Sequence, residues 1–167
     1  MKVTATIRRS DVALFTALVT PRVRSTYVGV AVLMIFIFVA LLWLKGVPTS
    51  TRGWIAIAAG SLGGSVAGMV VGLLISLATV LLSSTAASGL IGEHEYEIRP
   101  DGLAERTAVN DGVNKWGGIQ AVHRLGPFIC FRISGYLYHL IPRRSFENDV
   151  QFHAFYDAAL RAWKGAA

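Results

Sequence analysis

Two long stretches of the chain contain no charged residue, and they constrain the fold more than any other feature. The first runs from residue 27 to 44 and the second from 54 to 82. As a helix, the first stretch would extend about 27 Å, which is just enough to cross a bilayer core. The second stretch is longer than one crossing needs. The sequence therefore predicts two transmembrane helices joined as a hairpin, over residues 27–82.

The excess of basic residues lies next to these uncharged stretches. Of the formal net charge of +6, residues 1–26 contribute +4 and the turn at 45–53 contributes +2. After residue 82, nine basic and nine acidic residues balance. A nucleic-acid-binding protein would carry the excess on its folded domain, so nucleic acid is not an expected partner. The positive-inside rule instead predicts that both termini are cytoplasmic.

The segment 1–26 precedes the first uncharged stretch. Residues 2–7 alternate polar residues with β-branched or small ones, which predicts a short strand. Ser10 or Asp11 can cap a helix that runs to about Val19, and Pro21 ends it. We expect this helix either to lie on the bilayer surface or to pack on the soluble domain.

Four glycines recur at a spacing of four in the second uncharged stretch, namely Gly60, Gly64, Gly68 and Gly72. Residues at this spacing share one face of a helix. Glycine has no side chain beyond hydrogen, so another helix backbone can approach closely there. The pattern predicts a helix-packing stripe. Its partner is either the first helix of the same chain or the same helix of a second copy.

The remaining residues, 93–167, are expected to form a soluble α+β domain. Apolar alternation and turn residues predict a meander of five strands, at 94–99, 103–109, 115–124, 128–133 and 136–141. The pattern becomes helical over about 148–164, where Val150, Phe152, Phe155 and Leu160 are expected to be protected from solvent. This order predicts a small antiparallel sheet or partial barrel that is capped by a C-terminal helix.

Residues with reactive side chains form no recognisable catalytic or metal-binding motif. None of the four histidines has metal-ligand spacing, and His94, between Glu93 and Glu95, is expected on a solvated strand edge. Cys130 is expected to be a buried, inert thiol, and a single cysteine permits no intrachain disulfide. We therefore expect no catalytic residue, no metal ligand and no cofactor.

The chain resembles the YcxB-like family of bacterial membrane proteins. The residues that carry the resemblance are Tyr96-Glu97-Ile98, Gly102-Leu103, Trp116 with Ile119 and Val122, Ile141-Pro142-Arg143-Arg144-Ser145-Phe146, and Phe152-His153-Ala154-Phe155. The resemblance implies a C-terminal domain of pleckstrin-homology-like (PH-like) architecture. The segment 93–167 is short for that architecture, so strand 2–7 is expected to complete the sheet. The resemblance implies no catalytic residue.

Together these features predict a non-enzymatic adaptor or regulatory protein, anchored in the bacterial inner membrane by two crossings. Its cytoplasmic domain would bind a protein partner or the lipid surface. Besides the lipid bilayer, the expected partner is another protein or a second copy of this chain. The candidate lipid or partner contacts are Arg22, Arg24, Arg143 and Arg144. The alternative is an immunity protein that protects against a membrane-active toxin. An enzyme that acts on lipid is the least expected class.

Overall fold

The computed structural model describes residues 1–83, 90–135 and 137–166. The chain divides into two compact units, each considered by itself below. Met1–Phe15 joins Val80–Ala167 in an α+β unit, and Thr16–Thr79 forms a helical unit. Within the segment 1–26, the residues up to Phe15 fold with the C-terminal half of the chain.

Four strands form the first sheet of the α+β unit. They are β1 (Lys2–Ile7), β2 (Gly92–Ile98), β3 (Gly102–Thr107) and β4 (Asp111–Lys115), in that order and all antiparallel. The alternation seen in the sequence of β1 buries Val3, Ala5 and Ile7 on one face. Val3 lies opposite Tyr96 of β2. The prediction that the N-terminal strand completes the sheet is confirmed.

Three further strands form a second antiparallel sheet. They are β5 (Ala121–Leu125), β6 (Phe128–Ser134) and β7 (Leu137–Pro142), in that order. The single strand predicted at 115–124 is wrong, because a short 3-10 turn at Trp116–Gly118 separates β4 from β5. The indole of Trp116 is buried, and its Nε1 donates a hydrogen bond to the carbonyl of Arg99 at 3.0 Å. The predicted strand start at residue 136 lies outside the described residues.

The C-terminal helix, α4, covers Asp149–Gly165, close to the predicted span. The side chain of Asn148 caps it by accepting a hydrogen bond from the Gln151 amide at 2.9 Å. Phe152 and Phe155 are buried and Leu160 packs against the core. The expected protection of Val150 is wrong, since this residue is 77% exposed. At about 100° per residue, Val150 points roughly 200° away from Phe152.

The main core is built from the two sheets and α4, together with Val12, Trp116 and Ile119. Its buried members are Val3, Ala5, Ile7, Val12, Tyr96, Leu103, Trp116, Ile119, Val122, Ile129, Phe131, Ile141, Phe152, Phe155 and Ala159. Cys130 is also fully buried, and burial raises the pKa of its thiol to about 12. The expectation of a buried, unreactive thiol is thus confirmed.

The first helix, α1 (Arg9–Val19), contributes its first turns to the α+β unit. Val12 joins the main core, and the ring of Phe15 meets Tyr138 edge-on at a centroid distance of 4.9 Å. Of the two positions expected for this helix, packing on the α+β unit therefore holds for residues 9–15. The residues from Thr16 onward belong to the helical unit.

The helical unit is dominated by α2 (Arg24–Lys45) and α3 (Thr51–Ser83). Both helices are long and apolar enough, by length and composition, to cross a membrane. Each begins slightly before its uncharged stretch and ends one position after it. Large apolar side chains along both helices are exposed, among them Phe36, Trp43 and Leu74. The turn between them begins at Gly46, whose φ of 79° favours glycine.

Candidate functional site

The glycine stripe of α3 packs against α2 of the same chain. A Cβ placed on Gly60, Gly64 or Gly68 would lie 3.6, 3.1 or 2.7 Å from the side chains of Leu41, Ile37 and Leu33, respectively. As the position on α3 rises by four, the position on α2 falls by four. The two helices are therefore antiparallel, with a row of branched side chains seated in the groove that the glycines leave.

Gly72 is the exception in this stripe. A Cβ placed on it would meet nothing within 4 Å, and the same holds for Gly29 of α2. The hairpin thus accounts for three of the four glycines. Of the two partners that the sequence left open, the first helix of the same chain is the one seen for Gly60, Gly64 and Gly68.

Two serines of α3 are buried next to the glycine stripe. The hydroxyl of Ser61 donates to the carbonyl of Ile57 at 2.7 Å, and that of Ser65 donates to the carbonyl of Leu62 at 2.9 Å. Both hydroxyl protons are therefore satisfied within their own helix. These serines let the helices approach closely and have no arrangement suited to nucleophilic chemistry.

The predicted contact residues Arg22 and Arg24 lie at the start of the hairpin and are exposed. Arg22 donates from Nη1 to the carbonyl of Leu18 at 2.6 Å, at the end of the preceding helical segment. No aspartate or glutamate occurs anywhere in residues 16–79. Neither arginine can therefore find a carboxylate within the helical unit.

The other two predicted contact residues are engaged inside the α+β unit. Arg143 forms an exposed ion pair with Asp149, with its Nε 2.5 Å from Oδ1. Arg144 donates hydrogen bonds to both carboxylate oxygens of Asp11, and its Nη2 also donates to the carbonyl of Thr6 at 2.8 Å. Arg143 and Arg144 thus serve contacts within the α+β unit.

A buried polar network, which the sequence did not predict, links the two sheets of the α+β unit. Its centre is Oε1 of Glu105 on β3, which lies 3.0 Å from Nδ1 of His94 and 3.1 Å from Nδ1 of His139. The hydroxyl of Tyr96 lies 3.3 Å from the same His94 nitrogen. On β7, His139 also contacts Asn114 Nδ2 through Nε2 at 3.0 Å.

The network requires an ionised Glu105. Burial alone would raise the pKa of this carboxyl, but hydrogen bonds from His139, His94 and Tyr96 outweigh burial and hold the pKa well below its ordinary value of 4.5. Burial and the adjacent charge of Glu105 raise the pKa of Tyr96 well above its ordinary value of 10.0. The network is therefore centred on a carboxylate that accepts hydrogen bonds from two imidazoles.

The expectation that His94 lies on a solvated strand edge is wrong. Strand β2 lies between β1 and β3, and His94 is only 4% exposed. The sequence did contain a signal for this burial: His94 alternates with the apolar Tyr96 and Ile98, and alternate residues of a strand share a face. Glu93 and Glu95, on the opposite parity, face outward as their charge suggested, and Glu95 pairs with Lys2 at 2.8 Å.

The arrangement joins the two sheets through hydrogen bonds between buried side chains. Among the residues that the structure describes, no group of three or more His, Cys, Asp or Glu side chains is placed to hold a metal ion. His94 and Glu105 are both buried, and Nδ1 of His94 pairs with Oε1 of Glu105, whereas Nε2 of His94 is buried without a hydrogen-bond partner among the described residues. The network thus fastens β7 to the first sheet through its hydrogen bonds.

No protein-family model, curated protein or solved structure matches this chain. The resemblance to the YcxB-like family therefore stays a prediction.

Proposed function

We propose that the chain is a non-enzymatic, membrane-anchored adaptor or regulatory protein of the bacterial inner membrane. The observation that carries the proposal is the pairing of β1 with β2. One strand precedes the hairpin and the other follows it, so the two long apolar helices are an insertion within a single folded unit. Anchorage and the α+β unit are thereby coupled through both ends of the hairpin.

This pairing also supports the two-crossing topology. Strands β1 and β2 are neighbours in one sheet, so the chain that leaves the α+β unit through α2 has to return to it after α3. Two crossings meet this requirement and one does not. The five basic residues before residue 27 favour the cytoplasm for the shared side. The long second helix would tilt, or project beyond the bilayer.

The α+β unit is proposed to have the PH-like architecture of the YcxB-like family. Its four-stranded and three-stranded antiparallel sheets, followed by α4, support that assignment. In this scheme β1 is the first strand of the domain, and the hairpin is inserted between the first and second strands. The proposed domain thus includes residues that precede the hairpin in the sequence and residues that follow it.

A protein partner suits the surface of the α+β unit better than an anionic lipid surface does. Several of its exposed charges pair with one another, as in Lys2–Glu95, Arg99–Glu97, Arg106–Asp111 and Arg143–Asp149. Such a balanced surface creates little net attraction for anionic headgroups. Lipid contact is assigned instead to Arg22 and Arg24, where each charge near a membrane surface contributes about 1 kcal/mol.

The first test is membrane integration and topology. The full chain is expected to resist alkaline extraction from membranes, and reporters fused after residue 50 and residue 167 should report opposite sides. Cytoplasmic activity at 167 with periplasmic activity at 50 supports the proposal. Release by alkali, or periplasmic activity at 167, contradicts it.

The second test asks what the α+β unit touches in cells. A photo-crosslinking residue is placed at exposed apolar positions of the unit, Val113 and Leu137, and at the buried Phe155 as the matched control. A discrete heavier protein band from the exposed positions alone supports an adaptor. Crosslinks to lipid only would assign the surface to membrane contact and contradict the protein-partner role.

A further inference from the structure

A groove lies at the closed end of the helical hairpin, beside the turn between α2 and α3. Its volume is about 370 Å³, within the range of pockets that hold small molecules. The wall is apolar, with Leu41 and Ile57 on facing helices and Pro48 in the turn. The ammonium-bearing Lys45 lines the same groove. The groove therefore combines an apolar trough with one cation.

Small residues on α3 keep the groove open. Ala56 and Gly60 line it where larger side chains would fill it. At Gly53 a Cβ would lie 2.8 Å from Cβ of Pro48, so a glycine at this position lets the turn close tightly beneath the groove. The available space is thus a consequence of the sequence of the turn and of the first three turns of α3.

The groove is surrounded by positive charge, and the helical unit has no carboxylate side chain to balance it. Residues 16–79 contain four basic residues and no acidic residue. Lys45 and Arg52 flank the turn. Within the described part of the chain, neither forms an ion pair. An exposed cation beside an apolar trough matches a ligand that has an anionic head and a hydrocarbon tail.

We propose that this groove binds an anionic phospholipid. One acyl chain lies along Leu41, Ala56 and Ile57, and the headgroup phosphate meets the Lys45 ammonium. The inference rests on the membrane insertion proposed above, which places the turn at a headgroup layer. A second copy fits less well, since a two-fold contact would bring Lys45 and Arg52 of both copies together with no carboxylate to offset them.

The test uses the full chain, purified in mild detergent and mixed with equal amounts of phosphatidylglycerol and phosphatidylethanolamine. Native mass spectrometry counts the bound lipids. The wild type should retain phosphatidylglycerol preferentially, and Lys45→Gln should weaken its binding about fivefold, as expected for one charge near a headgroup. Lys45→Arg should keep the preference. Lys164→Gln, which removes an exposed charge from α4, is the matched control.

A second variant tests the trough itself. Ala56→Leu fills the groove from an exposed helix position and should reduce binding of both lipids. Unchanged phosphatidylglycerol binding in Lys45→Gln and Ala56→Leu overturns the inference. A change of oligomeric state in Ala56→Leu with lipid binding intact also overturns it, because a second copy then occupies the groove. Alkaline extraction of the same variants separates these results from a failure of membrane insertion itself.

Discussion

The carboxylate of Asp11 and the guanidinium of Arg144 form a two-pronged ion pair across 133 positions of sequence. Asp11 belongs to the first turn of α1, where it also accepts a hydrogen bond from the Arg8 amide at 2.7 Å. Arg144 follows β7 and reaches the carbonyl of Thr6 at the end of β1. The pair therefore joins α1, the end of β1 and the segment that follows β7.

We predict that Arg144→Gln destabilises the α+β unit by about 2 kcal/mol. The side chain of Asp11 is only 6% exposed, so removal of its partner leaves a buried carboxylate poorly compensated. The figure is set below the range for fully buried pairs because Arg144 is 40% exposed. Chemical denaturation of the full chain in detergent measures the change. Arg143→Gln removes the neighbouring, exposed ion pair and should alter stability little.

The same pair predicts an acid sensitivity with a defined sign. Burial raises the pKa of Asp11, but the hydrogen bonds from Arg144 and the Arg8 amide outweigh it and lower the pKa below 3.8. A lowered folded-state pKa adds stability above the unfolded value, and this stability is lost as pH falls below it. The stability gap between wild type and Arg144→Gln should therefore narrow below about pH 4. A gap that stays constant down to pH 3 would contradict this assignment.

The buried network makes a second prediction, for Glu105→Gln. The substitution preserves shape but removes the negative charge that accepts hydrogen bonds from His94 and His139. We expect a loss of about 3 kcal/mol, because charge-assisted buried hydrogen bonds contribute about 1.5–3 kcal/mol each and the amide keeps part of one. Thermal unfolding in detergent at pH 7 checks this value. Glu97→Gln, on the exposed Arg99 pair, is the control and should change little.

The contribution of Glu105 also depends on pH in one direction only. Its folded-state pKa lies well below 4.5, so its stabilisation is complete above that value and declines as the pH falls from there. The difference between wild type and Glu105→Gln should shrink between pH 5 and pH 3. A difference that grows on acidification would contradict this assignment.

Patterns of short range predicted the helices and most strands correctly. The lack of charge located both ends of α2 and α3 to within one helical turn, because a run of about 18 or more residues without any charge is rare outside long apolar helices. Alternation predicted β1, since each of its inward positions, Val3, Ala5 and Ile7, is apolar. Local composition alone decides such elements.

The missed polar contacts depend on distant parts of the chain. The roles of His94 and Glu105 rest on β1 covering the edge of β2, and β1 is separated from β2 by the whole hairpin. The engagement of Arg144 depends likewise on Asp11, at the opposite end of the sequence. A local sequence pattern predicts that a charged residue is exposed. Only the tertiary arrangement supplies the partner that allows it to be buried.

A third prediction concerns Gly102, at the start of β3. A Cβ at this position would lie 2.3 Å from the backbone carbonyl oxygen of Asn114 on β4. Backbone atoms of a paired strand cannot move aside as a flexible side chain does, so Gly102→Ala should separate β3 from β4 and destabilise the unit strongly. Gly112→Ala, at an open position of the same strand pair, is the matched control. Equal melting temperatures for the two variants would contradict the close contact.

The last prediction concerns the seam of the hairpin. The double variant Gly64→Leu and Gly68→Leu would place isobutyl groups where Ile37 and Leu33 already lie, 3.1 and 2.7 Å from the Cβ positions. The helices would have to separate, and a gap near 1 Å already forfeits about a quarter to a half of the dispersion contact. We expect a chain that still inserts, since leucine is favoured over glycine in hydrocarbon, but that loses solubility in detergent at a lower temperature.

The control for the seam is the double variant Gly63→Leu and Gly72→Leu, at positions where a Cβ meets nothing within 4 Å. Both double variants gain the same helix propensity, about 1 kcal/mol for each glycine replaced, so any difference between them reports packing alone. Shortening Leu33 and Ile37 to alanine in the seam variant should restore part of the lost heat resistance. If the two double variants lose solubility at the same temperature, the glycines do not hold the helices together. If the control alone is weakened, or alone stops crosslinking to a second copy, then Gly63 or Gly72 marks a contact between chains.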